Sequence, residues 1–248
     1  MKRVINLYFG GIVATVVIVI LGVIIALPPL LQPVPKTTAL LTFNVVNGAN
    51  MPDWCNDVSR LLKKDRINAA FFISGELAEQ YPDCVRSFDP RLVDIGSSTY
   101  HHTDLTSQVD YTQLLEEVKS GKQSVDSIAS VDSKSFRAPY GKTDDNIYSF
   151  LGRSGIVADF SYQDRYHKFH EGQFVRYDAD VYDATTRSDF GAFLAARHTD
   201  HRPIQINFDN SVSVSEISSI IDQLQSNGII LVSASTLTGL DLTVTGGQ

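Results

Sequence analysis

Apolar residues follow two periodicities along most of the chain. Short runs rich in β-branched and aromatic residues alternate with longer stretches in which apolar residues recur every three or four positions, patterns typical of strands and of amphipathic helices. The predicted strands are Thr38–Phe43, Ala69–Ser74, Leu92–Gly96, Lys134–Arg137, Ile156–Phe160, Ile204–Phe208 and Ile229–Ser233. The predicted helices are Pro52–Lys64, Glu76–Tyr81, Asp83–Phe88, Tyr111–Ile128, Asp144–Arg153 and Ser213–Asn227. This alternation predicts a single α/β domain built on a mainly parallel sheet or barrel.

The chain begins with an apolar segment that is long enough to cross a membrane. Residues 7–27 carry no charge, and about 20 helical residues span a hydrocarbon core of ~30 Å. Lys2 and Arg3 lie in the preceding residues 1–6, so the positive-inside rule predicts a short cytoplasmic N-terminus. We therefore expect a single-pass membrane protein of type II orientation, with its domain extracellular or luminal. The alternative is a cleaved signal peptide, which would make the protein secreted.

Prolines predict how the anchor is joined to the domain. Residues 28–37 contain four prolines, which end a helix and favour a stiff spacer. We expect the domain to occupy residues 38–240 and a C-terminal tail to occupy residues 241–248.

Charge and cysteine content narrow the possible partners and the compartment. The chain's formal net charge is −7, and residues 1–32 hold two basic residues and no acid, so the remainder carries −9. An acidic domain without a basic stripe argues against nucleic acid as a partner. Cys55 and Cys84 lie on the side of the membrane where disulfides form. We expect them to be bridged; two buried free thiols are the alternative.

Four segments carry motifs that are informative in combination. They are Leu41–Phe43, Ala69–Gly75, Asp94–Leu105 and Phe136–Gly141. Together they resemble the polysaccharide deacetylases, the NodB-homology proteins of carbohydrate esterase family 4, over roughly Thr38–Leu237. That family includes chitin and peptidoglycan deacetylases, so the resemblance implies a single distorted (β/α) barrel following the transmembrane helix. It also implies an N-acetylated glycan such as chitin as the partner.

The resemblance also implies a reaction, the removal of acetyl from an N-acetyl sugar. In the family a divalent metal, usually zinc, is held by one Asp and two His, polarises the acetyl carbonyl and activates water. A second carboxylate acts as the base, and a histidine acts as the acid for the leaving amine.

Four of those positions hold unsuitable residues in this chain. The family's Thr-Phe-Asp-Asp-Gly motif puts Asn44 at the base and Val45 at a metal ligand. The His-Ser/Thr-x-x-His motif puts Ser98 at a second ligand and leaves His102 as a remnant. The Leu-x-x-His motif puts Phe208 at the acid. An amide is too weak a base and valine offers no lone pair, so we expect no intact catalytic set and no bound metal cofactor.

Residues of the substrate cleft persist. Arg137, Pro139 and Tyr140 match the family's Arg-x-Pro-Tyr motif, and Asp104 closes the second motif. In the family this arginine pairs with the base. Since Asn44 replaces the base here, we expect another acid or water near Arg137.

Other constellations carry weaker signals. His198 and His201, with Asp200 between them, have metal-ligand chemistry but lie in a polar loop, where surface histidines are the commoner case. No Gly-rich phosphate loop or Gly-x-Ser-x-Gly elbow follows a predicted strand. The aromatic residues that offer stacking surface for sugars, or ordinary core packing, are Trp54, Tyr100, Tyr140, Tyr162 and Tyr166.

Three functional hypotheses follow. The first is a membrane-anchored, extracytoplasmic deacetylase-like pseudoenzyme that binds a glycan through the old cleft. The second is an active deacetylase with a rearranged site, in which carboxylates gather near His102; the candidates are Asp104, Asp159, Asp164 and Asp209. The third is a structural surface protein whose cleft is filled by side chains.

Overall fold

The computed structural model describes residues 36–107, 110–143, 145–162, 175–176, 179–197 and 202–245. The chain divides into a unit of residues 1–35 and a compact unit of residues 36–248. The predicted N-terminus and anchor, and all but the last two residues of the predicted spacer, lie outside the described residues. No helix within the described ranges is long and apolar enough to cross a membrane.

One parallel sheet organises the compact unit. The strands are β1 (Thr38–Val45), β2 (Ala69–Ile73), β3 (Val93–Ser97), β4 (Val131–Ser133), β5 (Ser135–Phe136), β6 (Ala158–Asp159), β7 (Val175–Arg176), β8 (Asp180–Asp183), β9 (Ile204–Asp209), β10 (Ile230–Leu231) and β11 (Thr243–Thr245). The strand order is β7-β6-β5-β3-β2-β1-β9-β8, and β10 also pairs with β1. Every pairing described within this sheet is parallel, which confirms the predicted α/β class.

Helices connect the strands, and several begin at a capping side chain. They are α1 (Asp53–Asp65), α2 (Gly75–Gln80), α3 (Pro82–Ser87), α4 (Tyr111–Ala129), α5 (Asp145–Arg153), α6 (Phe190–Ala196), α7 (Val214–Ser226) and α8 (Ala234–Thr238). Asp110, Ser213 and Ser233 each accept hydrogen bonds from backbone N–H groups of the first turn that follows. These bonds satisfy donors that have no partner within the helix, and so fix where α4, α7 and α8 begin.

The core lies in two layers because successive strand residues point to opposite faces. Along β1, Leu41 and Phe43 pack on the outer side against the helices. Leu40 packs on the inner side with Phe72 and Phe160. Burying a large apolar side chain contributes about 1.5 to 3 kcal/mol, so both layers stabilise the sheet. The inner layer is the floor of the site described below.

The C-terminal boundary differs from the prediction. The predicted tail contains β11, which pairs antiparallel with β4, and Leu242 just before it is fully buried. The domain therefore extends at least to residue 245, and residues 246–248 lie outside the described residues. The strand β8 and the helices α6 and α8 were also not predicted; each is short, with too few residues to show a clear periodicity.

The predicted disulfide is present. Cys55 in α1 is bonded to Cys84 in α3, and 29 positions separate them in the sequence. The bridge holds the two helices against each other on the outer side of the sheet.

Candidate functional site

The carboxyl ends of the parallel strands bring the motif residues to one edge of the sheet. Asn44 is level with Asp209 of β9 and with Phe72 of β2, and Ser97 of β3 is level with Phe136 of β5. Binding and catalytic groups of open parallel sheets collect at this edge.

A deeply buried cation lies at this edge, Arg137, which is 2% exposed. Its Nε donates to the carbonyl oxygen of Phe160 at 3.3 Å, and its Nη2 donates to Oδ1 of Asn207 at 3.1 Å. The guanidinium lies 4.7 Å from the ring centroid of Phe72 and 5.6 Å from that of Tyr162, where ring electrons stabilise a cation. Burial lowers the pKa of Arg137 to about 10, so the group stays charged at neutral pH.

A neutral amide oxygen holds this cation. Oδ1 of Asn207 also accepts from Oγ1 of Thr42 at 2.8 Å and from Nε2 of Gln205 at 2.9 Å. The guanidinium fixes the orientation of the amide, because arginine has only donors and a flipped Asn207 would present its NH₂ group to Nη2. Nδ2 of Asn207 is buried without a hydrogen-bond partner among the described residues. Within this cluster the side chain of Asn207 therefore acts only as a hydrogen-bond acceptor.

The expected acid near Arg137 acts at a distance rather than by contact. Within the described part of the chain, Arg137 forms no ion pair with a carboxylate. The charges of Asp159 and Asp183 raise the pKa of Arg137, but burial lowers it by more. Oδ2 of Asp183 accepts from the hydroxyl of Tyr162 at 3.4 Å.

Strand-end carboxylates form a recurring local motif. Asp159, Asp183 and Asp209 each accept hydrogen bonds from the backbone N–H and the hydroxyl of the Ser or Thr two residues later. These Asx turns end β6, β8 and β9 in the same way. The sequence signal is Asp-x-Ser/Thr after a short apolar run, which sequence reasoning did not use.

The replaced catalytic positions lie on different faces of the sheet. Asn44 is half-buried, whereas Val45 is fully buried among outer apolar side chains. Phe208 is also buried in the outer layer, stacked on Phe43 with 5.2 Å between ring centroids. Because strand residues alternate, Phe208 faces away from its neighbour Asn207 and from the bonded Arg137. The side chain at the expected acid position thus does not line the Arg137 side of the sheet.

The remnant histidine lies at the rim beside the intact motif. His102 packs edge-on against Tyr140, with 5.2 Å between ring centroids, and its Nε2 is buried without a hydrogen-bond partner among the described residues. Burial lowers the pKa of His102. Both residues have φ of 58°, an uncommon left-handed conformation that clusters at binding sites.

The neighbours of His102 have other roles. Nδ1 of His101 bonds Glu117 at 2.6 Å, so this imidazole is engaged with α4. Ser98 is buried, and Asp104 accepts from Nζ of Lys142 at 2.9 Å. Asp104 therefore forms a rim ion pair.

The remaining predicted candidates separate into two groups. Asp164, Tyr166 and the residues His198, Asp200 and His201 lie outside the described residues. Trp54 is buried and donates its indole N–H to the carbonyl oxygen of Val212 at 3.0 Å, so it is a core residue and does not offer a sugar-stacking surface.

Sequence reasoning missed Thr42, Gln205 and Asn207, which hold Arg137. A signal was available in β9, where Gln205, Asn207 and Asp209 alternate with apolar residues. Such alternation indicates a strand with one polar face. That face points to the cleft.

Comparisons with known proteins agree with this architecture. The family model "Polysaccharide deacetylase" matches residues 32–158, which is half of the chain. A peptidoglycan-N-acetylglucosamine deacetylase of Bacillus cereus is 27% identical over 114 residues, which cover 46% of this chain and 40% of that protein. The chain thus matches less than half the length of this curated relative.

Solved structures show the same fold. A polysaccharide deacetylase described as putative, from Mycobacterium smegmatis, superposes with a TM-score of 0.68 at 15% identity, covering 84% of this chain and 91% of that one. A carbohydrate esterase family 4 pseudoenzyme from Bacillus anthracis superposes with a TM-score of 0.61 at 14% identity, covering 83% of this chain and 66% of that one. These similarities show that the fold is a parallel-sheet half-barrel, a form of the distorted (β/α) barrel predicted above.

The family match corrects the prediction that no cofactor is expected. Deacetylases of this family depend on a divalent metal, so a divalent metal is the cofactor that membership implies. The residues at the ligand positions fit it poorly, because Val45, Ser98 and His102 supply only one imidazole and one hydroxyl where a catalytic zinc site needs three protein ligands. Within the described ranges no group of three or more His, Cys, Asp or Glu is placed to hold a metal. The family model matches half of the chain, and the fold agrees with that match. The chain therefore belongs to the polysaccharide deacetylase family.

Proposed function

We propose that this chain is a membrane-anchored member of the deacetylase family that binds an N-acetylated glycan and does not hydrolyse it. The observation that carries the proposal is the neutral amide network around Arg137. In an active relative this arginine would face a carboxylate base, whereas here its side-chain contact is Oδ1 of Asn207.

The loss of hydrolysis follows from the chemistry of the replaced groups. An amide at Asn44 does not take a proton from water, because its conjugate acid is far too strong. Phe208 has no proton to give to a leaving amine and lies in the outer core. A carbohydrate esterase family 4 pseudoenzyme among the structural neighbours supports the idea that the fold persists without the reaction.

The retention of binding rests on the rim of the cleft. Tyr140 is 53% exposed, so its ring offers a face on which a sugar can stack. Nε2 of His102 is buried without a hydrogen-bond partner among the described residues, so a small movement of the Tyr140 ring would expose an unpaired polar atom to a ligand. Lys142 and Asp104 add a charged pair beside the ring of Tyr140. An apolar surface with a few directed polar groups is the usual composition of a ligand site.

The membrane anchor is part of the proposal. Residues 7–27 are uncharged and long enough to span a bilayer, with Lys2 and Arg3 on the cytoplasmic side by the positive-inside rule. The Cys55–Cys84 disulfide supports a domain on the oxidising side of the membrane. A reduced Cys55–Cys84 pair in protein isolated from cells with thiols trapped at lysis would contradict this orientation.

A paired assay tests the proposed function. The full chain in a non-ionic detergent is titrated with N-acetylglucosamine oligomers, and acetate release is followed in the same samples with zinc present. We expect saturable binding without acetate release. Acetate release that is lost in a His102→Ala variant would show an active, rearranged site instead. Absence of binding would favour a purely structural role.

A further inference from the structure

A basic pocket lies on the outer side of the domain, away from the candidate cleft. It has a volume of about 620 Å³ and is lined by residues of α1 and of the end of α3. The lining residues are Asn56, Ser59, Arg60, Lys63, Lys64 and Ser87. Three of them are cationic and none is acidic. This is unusual for residues 36–248, whose formal net charge is −9 because only Lys2 and Arg3 are removed from a chain of −7.

The pocket follows α1 from Asn56 in its first turn to Lys64 in its last turn, so its two lysines and the cleft lie at opposite edges of the sheet. α1 runs from the carboxyl end of β1 back to the start of β2, so its last turn, with Lys63 and Lys64, lies where the strands begin. The cleft lies where the strands end. A ligand in the pocket would therefore not occupy the cleft.

Cationic groups of the pocket retain free hydrogen-bonding capacity. Nζ of Lys63 donates once, to the carbonyl oxygen of Ser87 at 2.8 Å, and an ammonium group has three donors. Lys64 has no ion pair within the described ranges. Arg60 bonds Asp57 through Nη1 at 2.9 Å, which leaves other donors of its fork available.

The nearest acids of the surrounding helices are already engaged. Asp83 pairs with Arg86, and Asp89 pairs with Arg91 at 2.7 Å. Asp57 pairs with Arg60, and the charge of Lys63 also acts on Asp89, so these acids offset part of the pocket's positive charge and Lys64 remains without an ion pair within the described ranges.

Covalent and hydrogen bonds hold the two walls in place. The Cys55–Cys84 disulfide joins α1 to α3, next to Asn56 on α1 and one turn before Ser87 on α3. Oγ of Ser59 donates to the carbonyl oxygen of Ser87, whose own hydroxyl donates to the carbonyl oxygen of Cys84 at 2.7 Å. A preformed cavity loses less conformational entropy when a ligand enters.

We propose that this pocket binds a phosphate group, carried by an anionic lipid headgroup or by a soluble phosphate ester. Two ammonium groups and a guanidinium match the charge of a phosphate, and arginine can donate two parallel hydrogen bonds to its oxygens. The pocket is open to solvent, so the organic group to which the phosphate is attached can extend out of it.

Site-resolved acylation of lysines tests the proposal. The full chain in non-ionic detergent is treated with an amine-reactive ester in inorganic phosphate or in chloride at matched ionic strength, and modification is read by mass spectrometry. We expect phosphate to slow the modification of Lys63 and Lys64, with Lys119, an exposed lysine on α4, unaffected. In the Arg60→Gln variant, the phosphate concentration needed should rise about tenfold.

A vesicle arm distinguishes the two sources of phosphate. The full chain is reconstituted into phosphatidylcholine vesicles with or without phosphatidylglycerol, and the same lysines are followed. Protection in vesicles that requires phosphatidylglycerol assigns the pocket to a lipid headgroup. Protection by inorganic phosphate in detergent, with no protection from phosphatidylglycerol in vesicles, assigns it to a soluble ester. Equal slowing at Lys119, or no slowing in either arm, would overturn the proposal.

A stability measurement keeps the test independent of lysine chemistry. Phosphate should raise the unfolding midpoint of the natural chain, and the Lys63→Gln/Lys64→Gln variant should lose that rise. The matched Lys36→Gln/Lys119→Gln variant removes the same charge elsewhere and should keep it. A rise that persists in the first variant, or disappears in both, would contradict a site at Lys63 and Lys64.

Discussion

Arg137 and Asn207 form a buried charge–amide pair, in which Nη2 donates to Oδ1 at 3.1 Å. The guanidinium is buried, and burial lowers its pKa to about 10. Oδ1 of Asn207 also satisfies Thr42 and Gln205. One neutral side chain thus holds together the inner polar layer of this deacetylase-family fold.

Asn207 should therefore contribute strongly to stability. Asn207→Leu leaves Nη2 of the buried guanidinium without its acceptor, while Thr42 and Gln205 keep only their bonds to backbone carbonyl oxygens. We therefore expect a loss of about 2 to 4 kcal/mol in the free energy of unfolding. Asn207→Asp keeps the accepting oxygen and adds a negative charge, and at neutral pH it should stay within about 1 kcal/mol of the natural chain. Urea unfolding measures both. A leucine variant as stable as the aspartate variant would show that the pair is dispensable.

The two adjacent histidines should have opposite effects on the pH dependence of stability. Burial lowers the pKa of His102 below 6.5, so the unfolded chain takes up its proton first. Stability from this residue is complete above pH 6.5 and falls as pH drops towards the folded pKa. His102→Gln should flatten that part of the profile.

His101 provides the matched control. Its hydrogen bond to Glu117 raises its pKa above 6.5. Its contribution to stability is complete below pH 6.5 and is lost as pH rises through the folded pKa. The His101→Gln variant should therefore lose stability mainly at low pH. The measurement is the free energy of unfolding of both variants between pH 5 and 8. A change of the pH profile in the same direction in both variants would contradict the prediction.

Restoring the family's ligand positions should create zinc-dependent stability. In Asn44→Asp/Val45→Asp/Ser98→His, the new groups have the family's ligand chemistry. Residue 45 faces the outer core, so zinc binding requires the end of β1 to turn that carboxylate towards His102. Val45 is fully buried in an apolar cluster, so an unpaired carboxylate there destabilises the metal-free variant. We expect a lower unfolding midpoint without metal, and a rise with zinc that exceeds that of the natural chain.

The control for this variant replaces Val45 by Asn instead of Asp. It has a similar shape and polarity but no carboxylate, so its rise with zinc should be smaller. An equal rise in both variants would show that residue 45 does not act as a ligand position.

The disulfide should stabilise the domain chiefly through the unfolded chain. Cys55 and Cys84 close a loop with a sequence separation of 29, which corresponds to about 3 to 4 kcal/mol in the chain-entropy model. Cys55→Ala/Cys84→Ala should lower the free energy of unfolding by about that amount. Comparing this variant with the reduced natural chain separates the effect of losing the disulfide on stability from the effect of the two substitutions. Equal stability of the oxidised and reduced chains would contradict the prediction.

The sequence predicts the strand–helix order well because long elements carry clear periodicity. α4 and α7 are examples, with apolar residues at helical spacing and capping side chains at Asp110 and Ser213. Short elements such as β8 and α6 are fixed by pairing and packing partners distant in sequence, so local pattern does not reveal them.

The candidate site is predictable only in part. The motif around Arg137 and Tyr140 identifies the cleft, but the partner of Arg137 depends on parallel pairing of β1 with β9, which brings Thr42 level with Asn207. No short-range pattern records that pairing. The orientation of Phe208 likewise follows from strand alternation once the register is known.

Tyr140 provides the most direct test of the proposal that the cleft binds an N-acetylated glycan without hydrolysing it. The measurement is calorimetric titration of the full chain with an N-acetylglucosamine oligomer, together with an acetate assay on the same sample. Tyr140→Ala should weaken binding by about 1 to 2 kcal/mol through lost ring contact. Tyr111→Ala removes a tyrosine that is 60% exposed on α4 and should leave binding unchanged. We expect glycan binding that depends on Tyr140, with no release of acetate. Acetate release by the natural chain, or equal affinity of the two variants, would contradict the proposal.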